Sequence, residues 1–413
     1  MKVLLFAPNA SERMGGEAVL PLHYLREFEA MGLRVSLLTH ARCRAELTSG
    51  PYARYDLHFI EDSPAEKAIW RSTKGLPSPV RSAGGIATGT LTDYRLGAAA
   101  RRLAERSGCD LIHQVTPVSP RAPSFVTGTG LPLVIGPMNG NMSYPAGFEA
   151  GWGEGTGKVV GAARALSDGL NAAFPGKTNA ARLLVANERT RRGLPAGIAD
   201  AKVVTLVENG VDLSLWQAPE PLAETQRDLV FVGRLVKWKA VDILIDAVAS
   251  VPEVRLRIVG DGAQRAALEA QTKSLGLSDR VLFEGFQPKE RVRSMISDSR
   301  ALVLPSVYEC GGAVVLEAMA CARPVVATDW GGPADYLEDG ATGFLVAPSS
   351  PEGLRDGLAE AIRKLGDTER ACAMGLAGRR RVEADFSWKA KAEFVRGVYE
   401  DVLAERSGVR PAA

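Results

Sequence analysis

The sequence predicts an α/β protein built from two Rossmann-like, doubly wound parallel-sheet domains facing each other across a cleft. Three observations carry that expectation. Short runs of Val, Ile and Leu alternate with amphipathic stretches of helical length from end to end; the pattern restarts after a polar, proline-broken segment; and 413 residues exceed what one hydrophobic core usually organises.

The elements follow in order. The first set of strands is expected at Lys2–Ala7, Arg34–Thr39, Leu57–Ile60, Asp110–Val115, Leu133–Ile135, Leu183–Ala186 and Val203–Val207. From Gly136 to Asn179 the chain is rich in Gly, Asn and Ala without strand alternation, which suggests a long loop and a helix. The run from Asp212 to Arg227, broken by Pro219 and Pro221, reads as an interdomain linker with a hinge near residues 212–220. The second set is expected at Leu229–Gly233, Arg255–Val259, Val281–Glu284, Ala301–Leu304, Pro324–Thr328 and Phe344–Val346. The domains are therefore 1–217 and 218–387. Residues 388–406 form an amphipathic helix that completes the first domain, and 407–413 a disordered tail.

Composition excludes several classes of function. The hydrophobic share of 46% and charged share of 24% are those of an ordinary folded chain. Lys and Arg number 50 against 48 Asp and Glu, a balance of +2 that argues against a general nucleic-acid binder. The excess is uneven: up to Asp212 the balance is +5, and beyond it −3. Five cysteines without a CxxC spacing give neither a disulfide framework nor a zinc knuckle. No apolar run approaches a membrane span, and the apolar start is too short for a signal-peptide core, so a cytoplasmic location is expected. Four histidines and no Asp-x-Asp make a resident metal unexpected.

Two segments carry chemistry. In Gly233-Arg234-Leu235-Val236-Lys237-Trp238-Lys239 a strand ends and two cations five residues apart flank the entry to a helix, whose amino end favours anions. Arg234 and Lys239 together suit a diphosphate, although spacing alone leaves a solvated basic loop equally open. In Glu309-Cys310-Gly311-Gly312-Ala313-Val314-Val315-Leu316-Glu317 two glycines open a helix whose first amides are uncovered. Glu317 then falls among apolar neighbours, where a carboxylate is costly unless something such as a ribose diol hydrogen-bonds to it. An exposed helical stripe is the alternative reading for Glu317, and a surface acid for Glu309.

Glu309 and Glu317, with seven residues between them, together with Gly233-Arg234…Lys239, resemble the retaining glycosyltransferases of family 4, which have the GT-B fold. The pieces Val207–Asp212, Val259–Gly262, Phe283–Phe286 and Pro324–Gly332 agree with that resemblance, which spans the chain and is densest from Asn209 to Val346. It implies transfer of a hexose or related sugar from a UDP- or GDP-linked donor to a hydroxyl acceptor, by front-face attack and with no metal or permanently bound cofactor. Arg234 and Lys239 would hold the leaving diphosphate, Glu317 the ribose, and Glu309 the transferred sugar. The backbone of Cys310, Gly311, Gly312, Ala313 and Val314 would close on sugar and phosphate, with Gly233 and Gly260 beside them and Phe286 at the base. In the first domain Gly15 and Gly16 match the family's glycine loop, and His113 its cleft histidine. A lone strand-end histidine is otherwise commonly structural.

Departures from the family pattern are Ala240 where Gly is usual, a change that should favour the helix, and Cys310-Gly311 in place of Gly-Phe. Acceptor contacts are expected from the loop Gly136–Pro145 through Asn139, Asn141 and Tyr144. The acceptor itself is left open among a glycan, a lipid-linked sugar and a small molecule. The basic run Arg182, Arg189, Arg191, Arg192 suits either peripheral contact with lipid phosphates or a solvated helix face. Gly176-Lys177-Thr178 resembles the end of a P-loop, but Asn171 stands where a glycine is required. Two other readings share the fold: a sugar-nucleotide-binding scaffold without transfer, and an epimerase or phosphorylase.

Overall fold

The computed structural model describes every residue except 77, 149–151, 153–165, 219–220 and 409–413. The chain divides into two units. The first comprises Met1–Asn141, Gly157–Glu208 and Lys391–Ala413; the second, Met142–Thr156 and Asn209–Ala390.

The first unit holds a seven-stranded sheet in the order β3-β2-β1-β4-β5-β6-β7. Its strands are β1 (Lys2–Phe6), β2 (Arg34–His40), β3 (Asp56–Ile60), β4 (Leu111–Gln114), β5 (Leu133–Met138), β6 (Arg182–Val185) and β7 (Val203–Thr205). Every pairing is parallel; Val3 lies opposite both Val35 and Leu111. Strands covered on both faces need apolar residues at every position, and Val3, Leu4 and Leu5 are fully buried. β5 runs on through Gly136 and Pro137, further than the sequence pattern indicated, with a register shift between Ile135 and Met138. Helices Gly16–Ala30, Pro64–Thr73 and Ser78–Ser107 belong to this unit, as does most of Trp388–Arg406. One core cluster joins Leu4, Phe6, Leu96, Ile112, Ile135 and Leu183.

The second unit holds a six-stranded parallel sheet in the order β10-β9-β8-β11-β12-β13. Its strands are β8 (Asp228–Val232), β9 (Arg255–Val259), β10 (Val281–Gly285), β11 (Ala301–Leu304), β12 (Val325–Thr328) and β13 (Gly343–Val346). Helix Val241–Ala249 buries Ile243, Leu244, Ala247 and Val248, and helix Ala313–Ala320 buries Val315, Leu316, Met319 and Ala320.

The units divide at Glu208/Asn209 and Ala390/Lys391, against expected joins at 217/218 and 387/388. The physical reason is that Asn209–Trp216 is built into the second unit. Val211 donates to the Phe386 carbonyl at 2.9 Å, Trp388 donates back to Val211, and the Trp216 side chain is buried. A further departure is that Met142–Thr156 packs with the second unit: the Trp330 indole donates to the Ser143 carbonyl at 2.9 Å, and Tyr144 lies 4.8 Å from Tyr308, ring to ring. Most of the expected tail falls outside the described residues. Among the described residues, no helix is long and apolar enough to cross a membrane.

Candidate active site

Three adjacent strands of the second unit end in or directly before a glycine, and the loops beyond them lie backbone on backbone. Gly260 donates to the Gly285 carbonyl at 2.8 Å and Gly233 to the Val259 carbonyl at 3.0 Å. A Cβ on Gly260, whose φ is +132°, would stand 2.0 Å from the Gly233 oxygen, and one on Gly262 2.4 Å from the Leu235 oxygen. These positions demand glycine because any side chain would pry the loops apart. The loop Gly233–Val236 is thereby held at the carboxyl edge of the sheet, where open parallel sheets meet their ligands.

From that loop Lys239 reaches Glu309: the ammonium and carboxylate form an ion pair, with side chains only 14% and 17% exposed. Arg234 is exposed, and its guanidinium takes part in no hydrogen bond or ion pair among the described residues. Ala240, next to Lys239, is fully buried and left-handed, with φ +50° and ψ +37°. The expectation that alanine here favours the helix is therefore wrong. Ala240 precedes the first helical turn in a conformation that glycine adopts freely and alanine does not.

The second loop is fixed in the same way. Gly332 donates to the Glu309 carbonyl at 2.9 Å, and a Cβ on Gly331 or Gly332 would meet the backbone of Glu309, Cys310 or Gly311 at 2.1–2.3 Å. Gly312, at φ +79°, turns the chain into helix Ala313–Ala320 with no side chain capping it. The amides of Ala313 and Val314 thus face outward at the positive end of the helix dipole. Glu317 is partly buried and accepts no hydrogen bond from a described residue. Burial pushes its carboxyl up to about 7, against the pull of the Lys289 charge. Phe286 is 85% exposed, just beyond Gly285.

The first unit treats its expected residues differently. Gly15, at φ +105°, and Gly16 are exposed at the start of helix Gly16–Ala30, directly after β1, with open space beside both. His113 is fully buried. Its Nε2–H donates to the Gly136 carbonyl and its Nδ1 accepts from the Tyr399 hydroxyl, both at 2.6 Å. Burial pulls the imidazole down to about 4, against the hydrogen bond to Gly136. With both nitrogens engaged inside a packed core, His113 is a structural residue and not one that touches sugar.

Asn139 needs the same correction. It is buried, its amide donates to Glu208 at 2.8 Å, and its oxygen accepts from Arg189 at 3.0 Å and Thr190 at 3.3 Å. Asn141 is left-handed at φ +56° and donates to the Arg189 carbonyl. The basic run is largely paired within the unit: Arg182 with Glu405, Arg191 with Asp200 and Arg192 with Glu188. Lys177 is 3% exposed and donates to the carbonyls of Ser119 and Pro120, so it holds backbone and not phosphate.

A family model described as "Glycosyl transferases group 1" matches residues 214–380, which contain both loops and both glutamates. That segment is similar to the group 1 glycosyl transferases. Curated relatives include an alpha-maltose-1-phosphate synthase of Mycolicibacterium smegmatis, 35% identical over 226 residues, which are 50% of this chain and 58% of the relative. A D-inositol 3-phosphate glycosyltransferase of Mycobacteroides abscessus is 32% identical over 229 residues, 52% of this chain and 50% of the relative. The chain spans about half the length of the curated relatives it matches. Among solved structures, a sucrose-phosphate synthase of Thermosynechococcus elongatus aligns with TM-score 0.66 at 22% identity, covering 98% of this chain and 99% of that one. Anabaena HepE in complex with UDP aligns at 0.65 and 19%, covering 97% and 100%. The two doubly wound sheets are the GT-B fold.

The glycine pair Gly331-Gly332 and the single Gly262 fix the backbone of these loops, because a Cβ at any of them would meet a neighbouring backbone atom. Their sequence signal was glycine just beyond an apolar strand.

Proposed function

We propose that the protein is a retaining glycosyltransferase that moves a hexose or related sugar from a nucleoside-diphosphate sugar to a hydroxyl acceptor. The observation that carries this reading is Glu317, a half-buried carboxylate at the sheet's ligand edge that accepts no hydrogen bond from a described residue and is offset only in part by the Lys289 charge. A ribose diol donating two hydrogen bonds to it would offset the rest. The structures of HepE with UDP and with UDP-glucose support a uridine donor.

The second unit's residues then divide the work. Lys239 and Arg234 stabilise charge gathering on the leaving diphosphate, together with the outward amides of Ala313 and Val314. Donor binding exchanges the Lys239–Glu309 pair for Lys239–phosphate and Glu309–sugar hydroxyl contacts. As the anomeric carbon–phosphate oxygen bond breaks, the acceptor oxygen bonds to that carbon on the same face. Its proton passes to the phosphate oxygen that leaves, so no side-chain nucleophile, metal or resident cofactor is called for.

The test is incubation with UDP-glucose and GDP-mannose, following nucleotide release and product configuration by NMR. Slow release of UDP without acceptor, and an α-linked product with it, is the expected result. Release of an epimerised sugar nucleotide, or protection by nucleotide without any release, would overturn transfer.

A further inference from the structure

Beyond the carboxyl ends of β2 and β3 the first unit contains a groove that the family motifs do not account for. β2 ends at His40 and β3 at Ile60, beside β1 and on the same sheet edge as the Gly15–Gly16 loop. Two adjoining cavities of about 410 and 490 Å³ lie between helix Pro64–Thr73 and the early turns of helix Ser78–Ser107, sharing Arg42, Trp70 and Thr88 as walls.

The walls are cationic. Lys67, Arg71, Lys74 and Arg81 join Arg42 around the two cavities, and all five side chains are exposed. Of the two acids on these walls, Glu66 is fully engaged and Asp62 is exposed. Glu66, 1% exposed, accepts from the Ser63 amide, the Thr92 hydroxyl and Arg95, and Asp62 stands 3.1 Å from His40 Nε2. His40 is itself 2% exposed. Its Nδ1 accepts from Arg42, while Nε2 lies out of line for a hydrogen bond with Asp62, which leaves a buried nitrogen of the cavity wall without an aligned partner.

The floor is unusually bare. Gly84 is required by packing, since a Cβ would meet Thr73 at 2.5 Å. Gly85 and Gly89 are not: a Cβ on either would meet nothing within 4 Å. A glycine inside a helix is less favourable than alanine, because it has more freedom to lose on folding. Two such residues with no packing reason leave the floor open, beneath an indole, Trp70, that is 58% exposed and carries Lys74 Nζ 4.8 Å from its ring centre.

We propose that this groove binds the acceptor and that the acceptor carries a phosphate, held by Lys74, Arg81 and Arg42, with its hydroxylated part lying between Trp70 and the glycine floor. The proposal rests on the transfer reading and gives its acceptor a chemical class. His40, Asp62 and Glu66 do present ligand atoms within 4.8 Å of one another, as a metal site would. However, Arg42 on the imidazole and Arg95 on Glu66 already supply positive charge there, so an anion is the better complement.

The experiment titrates the full chain by calorimetry with glucose 6-phosphate, with glucose, and with UDP in parallel, and sediments it with phosphatidylcholine vesicles with and without phosphatidic acid. Glucose 6-phosphate should bind at least tenfold more tightly than glucose. The Lys74→Ala/Arg81→Ala double variant should weaken it at least tenfold with UDP affinity unchanged. Gly89→Phe should block it likewise, whereas Gly89→Ala should not. Binding to phosphatidic acid vesicles alone, lost in the same double variant, would place the phosphate on a lipid and uphold the groove. Phosphate binding that ignores the double variant, its absence in both arms, or zinc binding abolished by His40→Ala would overturn it. A chain that binds glucose 6-phosphate but not UDP would overturn the transfer reading and leave the groove standing.

Discussion

His113 and Tyr399, 286 residues apart, are joined by a 2.6 Å hydrogen bond in the buried core of the first unit. The strand-end imidazole is thus locked by the helix near the end of the chain. A buried neutral histidine makes stability depend on acid. The unfolded imidazole takes its proton near 6.5 and the folded one only near 4, so the contribution is complete above pH 6.5 and is lost as pH falls from 6.5 to 4. Denaturant titrations should show a loss of up to about 3 kcal/mol across that window. His113→Gln should remove most of this slope. Tyr399→Phe should cost about 1–3 kcal/mol through the unpaired Nδ1. Neither variant should change turnover per folded molecule by more than about twofold, whereas a sugar-contacting His113 would lose far more.

Glu317 carries the opposite linkage. Its carboxyl ionises near 4.5 in the unfolded chain and near 7 in the fold, so burial makes the ligand-free protein lose stability as pH rises from 4.5 to 7. Glu317→Gln should therefore stabilise the ligand-free protein by roughly 1–3 kcal/mol at pH 8. The same variant should weaken UDP binding at least tenfold, because a charge-assisted hydrogen bond is lost. Thermal melts at pH 8 with and without UDP read both effects. A variant with unchanged stability and unchanged UDP affinity would return Glu317 to an ordinary helix surface.

The Lys239–Glu309 pair predicts that its two members respond differently. Lys239→Ala should lower turnover at least tenfold and weaken UDP, since it removes a fixed cation from the leaving group. Glu309→Gln should also lower turnover, through lost orientation of the sugar, yet leave UDP binding equal or tighter because Lys239 no longer has a carboxylate to leave. Calorimetric titration with UDP separates the two. Equal weakening by both variants would mean that the pair serves structure alone.

Much of this arrangement was legible before any coordinates. Parallel strands buried on both faces leave continuous apolar runs, and all thirteen expected strands occur, with ends displaced by a few residues at most. The glycine loops were legible too, since glycine just beyond such a run has few other uses. Partners distant in sequence were not. Nothing near His113 announces Tyr399, and nothing near Asn139 announces Glu208 and Arg189, so both residues looked available for substrate. The run from Asp212 to Arg227 reads as a linker because it is polar and broken by prolines, yet its first residues are bound to the second unit by the buried Trp216 ring and by the isolated bridge that Val211 makes just before it. The cationic groove is not legible in the sequence because its charges come from one loop and two helices, and no single stretch of chain is strongly basic.

Ala240 gives a prediction whose sign depends on backbone geometry alone. Replacing alanine by glycine inside a helix costs about 1 kcal/mol, and Ala247, fully buried in helix Val241–Ala249, should show at least that loss. Ala240 sits at φ +50°, where a Cβ costs roughly 1–2 kcal/mol that glycine does not incur. Against that relief stands the greater freedom of glycine in the unfolded chain, about 0.5–1 kcal/mol. Ala240→Gly should therefore be neutral or stabilising by up to about 1 kcal/mol in urea titrations, while Ala247→Gly destabilises. Because Ala240 follows Lys239 directly, the relaxed turn should leave UDP affinity within about twofold. If Ala240→Gly instead destabilises as much as Ala247→Gly, the left-handed turn that carries Lys239 to Glu309 is not the conformation of this chain in solution.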